Sequence, residues 1–304
     1  MTMLPDGVLR DTKSLEVPWE CVDKERSKQV KLQVRAVDDA TFALRQSTRV
    51  STEAPIGYLL CGTDRALLLD TGDAKDAADC PLRETVDALL TEWAEAHEIP
   101  CPPLVVAHTH GHYDHVKGDA QFADRPDTMV VAKDVDTVHG FFGLSQTPGT
   151  TAEFELGDRT LLITATPGHD ARSITTVDPS AGFMISGDTA YPGRLYIDDL
   201  PAAKTSLQAM VVLAEEHEVD TVLGCHVERT ADGGDIPLRA RFHASESSFT
   251  LSLEELRALR DQVLQTTGSG IHSGDPMTLY VDNPTWPMLK LLGRGLLARV
   301  TGRG

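Results

Sequence analysis

The chain has 304 residues, of which 41% are hydrophobic and 24% are charged, and its formal net charge is −18. A chain of this length can bury a core without disulfide or metal support, and its composition excludes intrinsic disorder, collagen and coiled coil. The negative charge would repel a nucleic-acid backbone or an anionic membrane unless a local basic patch overrides it, so we expect neither partner. We expect a small-molecule substrate, with a homodimer as an open alternative.

Cysteine usage and the first residues indicate the compartment. The five cysteines are an odd and widely spaced set, unlike the dense, even pattern of a secreted disulfide scaffold. The first segment, MTMLPDGVLRDTKSLEVPWE, lacks the apolar stretch of a signal peptide. Nowhere do about 18 apolar residues run together, as a membrane-spanning helix requires. A cytoplasmic location is therefore the expectation.

Seven short apolar runs, each bounded by Gly, Pro, Asp or Thr, are predicted to be buried strands. They cover residues 58–60, 66–69, 104–107, 129–132, 160–165, 183–186 and 221–224.

Two segments between these runs have helical spacing. The first follows Pro81, which suits the first position of a helix, and its apolar positions from 82 to 93 share one face. The second covers residues 205–217. The alternation of strands and helices predicts a mixed α/β domain in which helices cover the strands.

The sequence changes character after residue 230. Residues 230–248 are predicted to be a loop, and Ser252 with Glu255 three residues later forms a capping box that opens a helix. The tail from Trp286 is basic and amphipathic, and we expect a terminal helix packed on the core in preference to a membrane-surface helix. We therefore expect one domain over 1–304, with a C-terminal helical extension over about 230–304.

The strongest chemical signal is a histidine-rich segment directly after the run 104–107, and it reads His108-Thr109-His110-Gly111-His112-Tyr113-Asp114-His115. Imidazole and carboxylate groups are ligands that zinc and similar metals favour. On a loop between a strand and a helix, these groups can point in different directions and so serve two metals. Burial of several imidazoles and an ionised aspartate without a cation is costly, so a metal site is favoured over a solvated His-rich loop.

The segment His110-x-His112-x-Asp114-His115 resembles the HxHxDH signature of the metallo-β-lactamase-fold hydrolases. Four further segments stand in the order expected for that family, namely LLLDTG at 67–72, TPGH at 166–169, SGDT at 186–189 and GCH at 224–226. The resemblance covers roughly residues 57–228. It implies a four-layer αββα sandwich, in which two sheets pack together and helices lie outside. Asp70, in the first of these segments, would orient a metal ligand.

The resemblance also implies a dinuclear centre with two zinc ions per chain, for which manganese and iron are alternatives. The ligands of the first ion would be His110, His112 and His169, those of the second Asp114, His115 and His226, and the ligand shared by both Asp188. Two such ions lower the pKa of a shared water and give a bridging hydroxide as the nucleophile. Asp114 would act in catalysis by orienting this hydroxide and accepting or relaying its proton.

Asp188 distinguishes branches of this family. The β-lactamases have Cys or Ser in place of the bridging aspartate, whereas the glyoxalase II, lactonase and phosphodiesterase branches have Asp. Tyr191 stands at the offset where homoserine-lactone hydrolases of the superfamily carry a substrate-binding tyrosine, so it is either catalytic or packs in the core. Arg194 and Tyr196 are candidates for binding an anionic substrate group, and His243 for the wall of the substrate pocket.

These patterns predict a metal-dependent hydrolase of a small ester, thioester or lactone. Phosphodiester cleavage is the alternative within the same superfamily, and the net charge of −18 disfavours it. A weak β-lactamase side activity is a further alternative. A metal-binding module without turnover is disfavoured, because no ligand of the expected set is missing from the sequence.

Overall fold

The structure is a computed structural model and describes residues 3–145, 147–274 and 277–282. Its strands are β1 (Val8–Asp11), β2 (Leu32–Ala36), β3 (Thr41–Gln46), β4 (Ile56–Leu60), β5 (Ala66–Leu69), β6 (Leu104–Ala107), β7 (Thr128–Val130), β8 (Thr151–Glu155), β9 (Thr160–Ala165), β10 (Ile174–Asp178), β11 (Phe183–Gly187), β12 (Arg194–Ile197), β13 (Thr221–Gly224), β14 (Thr250–Ser252), β15 (Gly270–Ser273) and β16 (Thr278–Val281). Its helices are α1 (Leu82–Ala96), α2 (Tyr113–Val116), α3 (Val135–Phe142), α4 (Leu200–Glu216) and α5 (Leu253–Gln265), and a 3-10 helix covers Lys117–Gln121.

The strands form two large sheets and one small sheet. The first sheet has seven strands in the order β1 to β7, and β5, β6 and β7 run parallel to one another. The second has six strands in the order β14-β13-β11-β10-β9-β8, with β11 and β13 parallel and its other neighbours antiparallel. The small sheet has the order β12-β16-β15.

Three clusters of buried apolar side chains separate four layers. Within β5, Leu67 and Leu69 belong to the cluster between the two large sheets, whereas Leu68 belongs to the cluster under α1, as the two-residue period of a strand requires. On the outer side of the second sheet, Met210 of α4 and Leu256 of α5 belong to the third cluster. The layers therefore run helix, sheet, sheet, helix, and the predicted αββα sandwich is confirmed.

The predicted elements form at or near their predicted positions. All seven predicted strands are confirmed, with end points that differ by at most two residues. Helix α1 begins at Leu82, with Pro81 as its N-cap instead of its first helical residue. The predicted capping box is confirmed, because Ser252 Oγ accepts the Glu255 N–H at 3.2 Å and the Glu255 carboxylate accepts the Ser252 N–H at 2.7 Å.

The region after β13 contains both expected and unexpected features. Residues 230–248 contain no named strand or helix, as predicted, but the small sheet formed by β12, β15 and β16 was not predicted. The tail from Trp286 lies outside the described residues. None of the helices in the described part of the chain is both long and apolar enough to cross a membrane.

Candidate metal centre

The residues of the site follow the ends of five strands and lie at one edge of the sandwich. In the first sheet, Asp70 directly follows β5 and has a left-handed backbone with φ of +67°, and residues 108–115 follow β6. In the second sheet, His169 follows β9, Asp188 follows β11 and His226 follows β13. Since β5 is parallel to β6, and β11 to β13, each pair delivers its following loop to the same edge.

The first group of candidate ligands is His110, His112 and His169. One ring nitrogen from each lies within 4.8 Å of the others. The shortest separation is 3.0 Å, between His169 Nε2 and His112 Nδ1. Two ligands at about 2.1 Å from one tetrahedral zinc ion are about 3.4 Å apart, so this spacing fits a single cation.

The second group is Asp114, His115 and His226, whose ligand atoms also lie within 4.8 Å of one another. His226 Nε2 is 3.3 Å from His115 Nε2 and 3.4 Å from Asp114 Oδ2. These separations again match the edge of one coordination tetrahedron. The second group therefore fits a second cation.

Asp188 lies between the two groups. Its Oδ2 is 3.8 Å from His110 Nε2 and 3.6 Å from His169 Nε2, on the side of the first group. Its Oδ1 is 3.6 Å from His115 Nε2 and 3.4 Å from His226 Nε2, on the side of the second group. Each carboxylate oxygen thus faces one group, which is the geometry of a bridging ligand.

Two atoms in this cluster have no internal hydrogen-bond partner. His110 Nε2 and Asp188 Oδ1 are both buried and unpaired among the described residues. Leaving such groups buried without a partner costs about 1–3 kcal/mol each, whereas coordination to a cation would satisfy both. Because imidazole nitrogens and carboxylate oxygens are the donors that zinc prefers, the residues fit a pair of divalent cations.

Backbone carbonyls fix the orientation of two of the imidazoles. His169 Nδ1 donates to the Tyr196 carbonyl at 2.8 Å, and His226 Nδ1 donates to the Glu53 carbonyl at 2.9 Å. Because a carbonyl only accepts, the proton of each neutral ring is on Nδ1, and the Nε2 lone pair faces the cluster.

The Asp70 carboxylate supports the second group through hydrogen bonds to His115 and to residues around it. This carboxylate accepts the Thr109 N–H at 2.8 Å, the Thr109 hydroxyl at 2.7 Å and His115 Nδ1 at 2.9 Å. The buried Cys225 thiol is a further donor to it at 3.3 Å. Asp70 therefore contacts a candidate ligand from behind and orients its ring.

The protonation states are set by burial and by the mutual contacts of the cluster. Burial opposes ionisation of Asp188, but the imidazoles of His226 and His115 outweigh it and hold the pKa of this carboxyl well below its usual value. Burial opposes protonation of His226, but Asp188 and Asp114 raise its pKa to about 9. For His110, burial and then the neighbouring His115 lower the pKa well below the usual value. Cation binding requires ionised carboxylates and neutral imidazoles, so a cation at the second group would displace the proton that His226 holds at neutral pH.

A cleft of about 430 Å³ opens onto the candidate ligands. Five of the seven line it, namely His112, Asp114, His169, Asp188 and His226. Its other lining residues are Glu53, Tyr113, Tyr191, Tyr196, Asp198, Glu228, Leu238, Arg239 and Tyr280. The cleft thus has a polar floor and a wall rich in tyrosine.

Tyr191 and Arg194 are engaged within the protein. The Tyr191 hydroxyl donates to the Arg194 carbonyl and lies 3.3 Å from Glu228 Oε2, while its ring lies 5.5 Å from the His226 ring. This geometry favours the packing role for Tyr191. The buried Arg194 guanidinium donates to Glu228 Oε1 at 2.6 Å and to the Ile236 carbonyl, so its charge is already neutralised.

The other two predicted substrate residues lie in different places. Tyr196 lines the cleft, with its ring 5.1 Å from that of Tyr280. His243 is not among the described residues that line the cleft. Its Nδ1 is 2.8 Å from Glu246 Oε1, and this buried carboxylate also accepts two hydrogen bonds from Arg45 at 2.7 Å.

Several residues near the centre were not anticipated from the sequence. Glu53, Glu228 and Arg239 reach the cleft from positions outside the motifs of the sequence analysis. Asp170 directly follows His169, its Oδ2 is 3.4 Å from His112 Nε2, and it pairs with a neighbouring arginine. Its only sequence signal is its place beside a predicted ligand.

The sandwich and the seven clustered side chains at its edge define an α/β protein with a candidate dinuclear metal centre. Residues 57–268 match the family model described as the metallo-beta-lactamase superfamily. The chain therefore belongs to the metallo-β-lactamase superfamily, a superfamily of hydrolases.

Individual relatives are distant. The chain is 25% identical over 230 residues to the acyl-coenzyme A thioesterase MBLAC2 of Bos taurus, and the match covers 63% of this chain and 80% of that protein. It is 26% identical over 195 residues to a hydroxyacylglutathione hydrolase of Brucella ovis, with coverages of 63% and 70%. A metallo-β-lactamase structure from Erythrobacter litoralis superposes with a TM-score of 0.53 at 14% identity, covering 78% of this chain and 97% of that one, which is a likeness of fold alone.

Proposed function

We propose that the protein hydrolyses a small thioester with the help of two divalent metal ions, zinc being our first expectation. The observation that carries the proposal is Asp188, whose two carboxylate oxygens face the two separate groups of candidate ligands. The choice of thioester is supported by the two relatives, named an acyl-coenzyme A thioesterase and a hydroxyacylglutathione hydrolase, because both acylated thiols are thioesters. Esters and lactones are the neighbouring substrate classes.

When bound, two divalent cations would supply an activated water molecule and polarise the substrate carbonyl. The residues that would hold them are His110, His112 and His169 for the first, Asp114, His115 and His226 for the second, and Asp188 for both.

Asp114 is placed to handle the proton of the attacking water. Its carboxylate lines the cleft, with Oδ2 3.4 Å from His226 Nε2 and 3.6 Å from His115 Nε2. Burial opposes its ionisation, but His115 and His226 outweigh burial and lower the pKa, so the group is an anionic acceptor. Asp114 Oδ2 would orient the water toward the carbonyl carbon, take its proton and return it to the departing sulfur. The products are a carboxylic acid and a thiol.

The cleft wall would position the substrate. Tyr113, Tyr196, Leu238 and Tyr280 offer apolar and aromatic surface to an acyl chain or thiol, and a cleft of about 430 Å³ suits a small molecule. Tyr113 is 57% exposed and stands beside Asp114, so it lies at the mouth of this cleft.

Metal analysis and a substrate panel test the proposal. We expect close to two zinc ions per chain and turnover of thioesters above that of a lactone, bis(p-nitrophenyl) phosphate and nitrocefin. Asp188→Asn should lower the metal content and reduce kcat/KM by at least about 100-fold, because the neutral amide is a poor bridge. The matched control is Asp136→Asn, which neutralises an exposed aspartate on α3 and should change neither quantity.

The panel also decides among the alternatives. Preference for the phosphate diester would contradict the proposal in favour of a phosphodiesterase, and preference for nitrocefin would do so in favour of a β-lactamase. Full thioesterase activity in the Asp188→Asn variant would refute the role of the bridging carboxylate.

A further inference from the structure

A second cavity, here called the basic pocket, has a volume of about 480 Å³ and a lining that contains three cationic residues. They are Lys28, Arg49 and Arg241, and the hydroxyl residues beside them are Ser27, Thr48 and Thr52. None of the described residues that line it is acidic. In a chain with a net charge of −18, the lining of this cavity therefore stands out as positively charged.

One lining residue carries an unsatisfied polar atom. Thr48 is only 5% exposed, and its hydroxyl has no hydrogen-bond partner in the described part of the chain. A buried hydroxyl without a hydrogen-bond partner is destabilising, and a ligand acceptor within its reach would satisfy it. Arg49 is fixed beside it, because its Nη1 donates to the Lys28 carbonyl at 2.8 Å.

The basic pocket neighbours the cleft at the candidate metal centre. In the loop between β3 and β4, Thr52 lines the basic pocket and the next residue, Glu53, lines the cleft. In the loop after β13, Arg241 lines the basic pocket and Arg239 lines the cleft. In each loop, residues only one or two positions apart therefore line different cavities. The two loops form the wall between the basic pocket and the cleft.

We propose that the basic pocket binds a phosphate group. Guanidinium groups, an ammonium group and hydroxyls are the donors that surround phosphate oxygens, and arginine can bind them with two parallel hydrogen bonds. The phosphate belongs either to the thiol part of a substrate whose acyl group lies in the cleft, or to a free phosphate compound that acts on turnover. The first of these sources rests on the proposed thioesterase function, whereas the pocket itself does not.

Calorimetry with adenosine 3′,5′-bisphosphate on the metal-loaded full chain tests the site. We expect the double variant Arg49→Gln/Arg241→Gln to bind this probe about tenfold more weakly, and added NaCl to weaken binding to the wild type. The matched control is Arg257→Gln/Arg260→Gln, which removes the same charge from α5 and should keep Kd within about twofold. Equal weakening in both double variants, or no binding to the wild type, would overturn the proposal.

Phosphate could also bind at the metal ions, and the Asp188→Asn variant separates the two sites. If the probe occupies the basic pocket, its Kd stays the same in Asp188→Asn. Loss of binding in this variant would place the probe at the metal centre and overturn the proposal.

Kinetics with two thioesters of the same acyl group identify the source of the phosphate. The two substrates are a coenzyme A thioester and an N-acetylcysteamine thioester. If the phosphate belongs to the substrate, Arg49→Gln/Arg241→Gln should lower kcat/KM for the coenzyme A thioester about tenfold relative to kcat/KM for the N-acetylcysteamine thioester. For a free phosphate compound, the bisphosphate should instead change wild-type turnover of the N-acetylcysteamine thioester, which has no phosphate. If the bisphosphate binds and Arg49→Gln/Arg241→Gln weakens its binding, but no thioester is hydrolysed, the proposed function is wrong and the phosphate site is still supported.

Discussion

At the scale of single residues, three imidazoles of the candidate centre are oriented by hydrogen bonds on the side that faces away from it. The inward nitrogens of His169 and His226 are directed by backbone carbonyls, and His115 is directed by the Asp70 carboxylate. Such outer contacts hold ligands in one orientation before a metal binds, which reduces the ordering that binding requires. Tyr191 shows the opposite case, since its hydroxyl is bound within the protein although its ring borders the cleft.

Tyr191→Phe distinguishes the two roles considered for this residue. Because the hydroxyl donates to the Arg194 carbonyl, we expect kcat/KM to stay within about threefold and stability to fall by about 0.5–1.5 kcal/mol. The matched control is Tyr58→Phe, which removes another buried hydroxyl that donates to a backbone carbonyl, that of Gly224. A fall in kcat of about 100-fold or more in Tyr191→Phe alone would instead establish the catalytic role predicted from the sequence.

At the scale of elements, the sequence predicts strands well where they are apolar and poorly where they are not. Six of the seven predicted strands are mostly buried apolar runs, and only β7 is more exposed, whereas β2 and β3 carry the buried Gln33, Arg35 and Arg45. The charge of Arg45 is compensated by Glu246, which lies 201 positions further along the chain. Because the partner is so distant in the sequence, no local pattern indicates that Arg45 is buried. A search for apolar runs therefore does not detect these strands.

The same difference separates the predictable and unpredictable parts of the site. The seven candidate ligands stand in short motifs directly after strands, so their approach to one another follows from the resemblance. Glu53 and Tyr280 stand in no motif, and they meet in the cleft only because distant loops and the small sheet are folded against the same edge. Tertiary packing, which a single sequence does not display, sets the shape of the cleft.

The Arg45–Glu246 pair provides a test at this scale. Arg45→Met leaves the Glu246 carboxylate, 1% exposed, buried without its arginine, and we expect the free energy of unfolding to fall by about 3–5 kcal/mol. Urea denaturation of the full chain measures it. Arg83→Met, which breaks the exposed pair with Asp124, should cost less than about 1 kcal/mol.

A double variant makes this prediction specific to the buried charge. Arg45→Met/Glu246→Leu removes both charges and should recover most of the stability lost in Arg45→Met. If the double variant is as unstable as the single one, the loss comes from packing around Arg45 and the ion-pair explanation is wrong.

At the scale of the whole molecule, the candidate centre joins the two halves of the sandwich. Residues 110–115 follow a strand of the first sheet, whereas His169, Asp188 and His226 follow strands of the second. A cation held by His110 and His169 would therefore connect the two sheets at their shared edge, in addition to the apolar cluster between them. Metal binding should therefore stabilise the whole sandwich against unfolding, and its effect should not be limited to the loops that carry the ligands.

Metal removal tests this connection. A ligand that binds only the folded state at about 100 times its Kd adds about 2.7 kcal/mol, which for a domain of this size raises Tm by roughly 4–5 °C. We expect EDTA to lower the Tm of the zinc-loaded protein by such an amount, and added zinc to restore it, as measured by scanning calorimetry. In the Asp188→Asn variant the shift should shrink, because the amide is neutral and has only one oxygen, whereas the two carboxylate oxygens face His110 and His226 separately. An EDTA shift of the same size in wild type and variant would mean that the stabilising metal binds elsewhere and does not connect the two sheets.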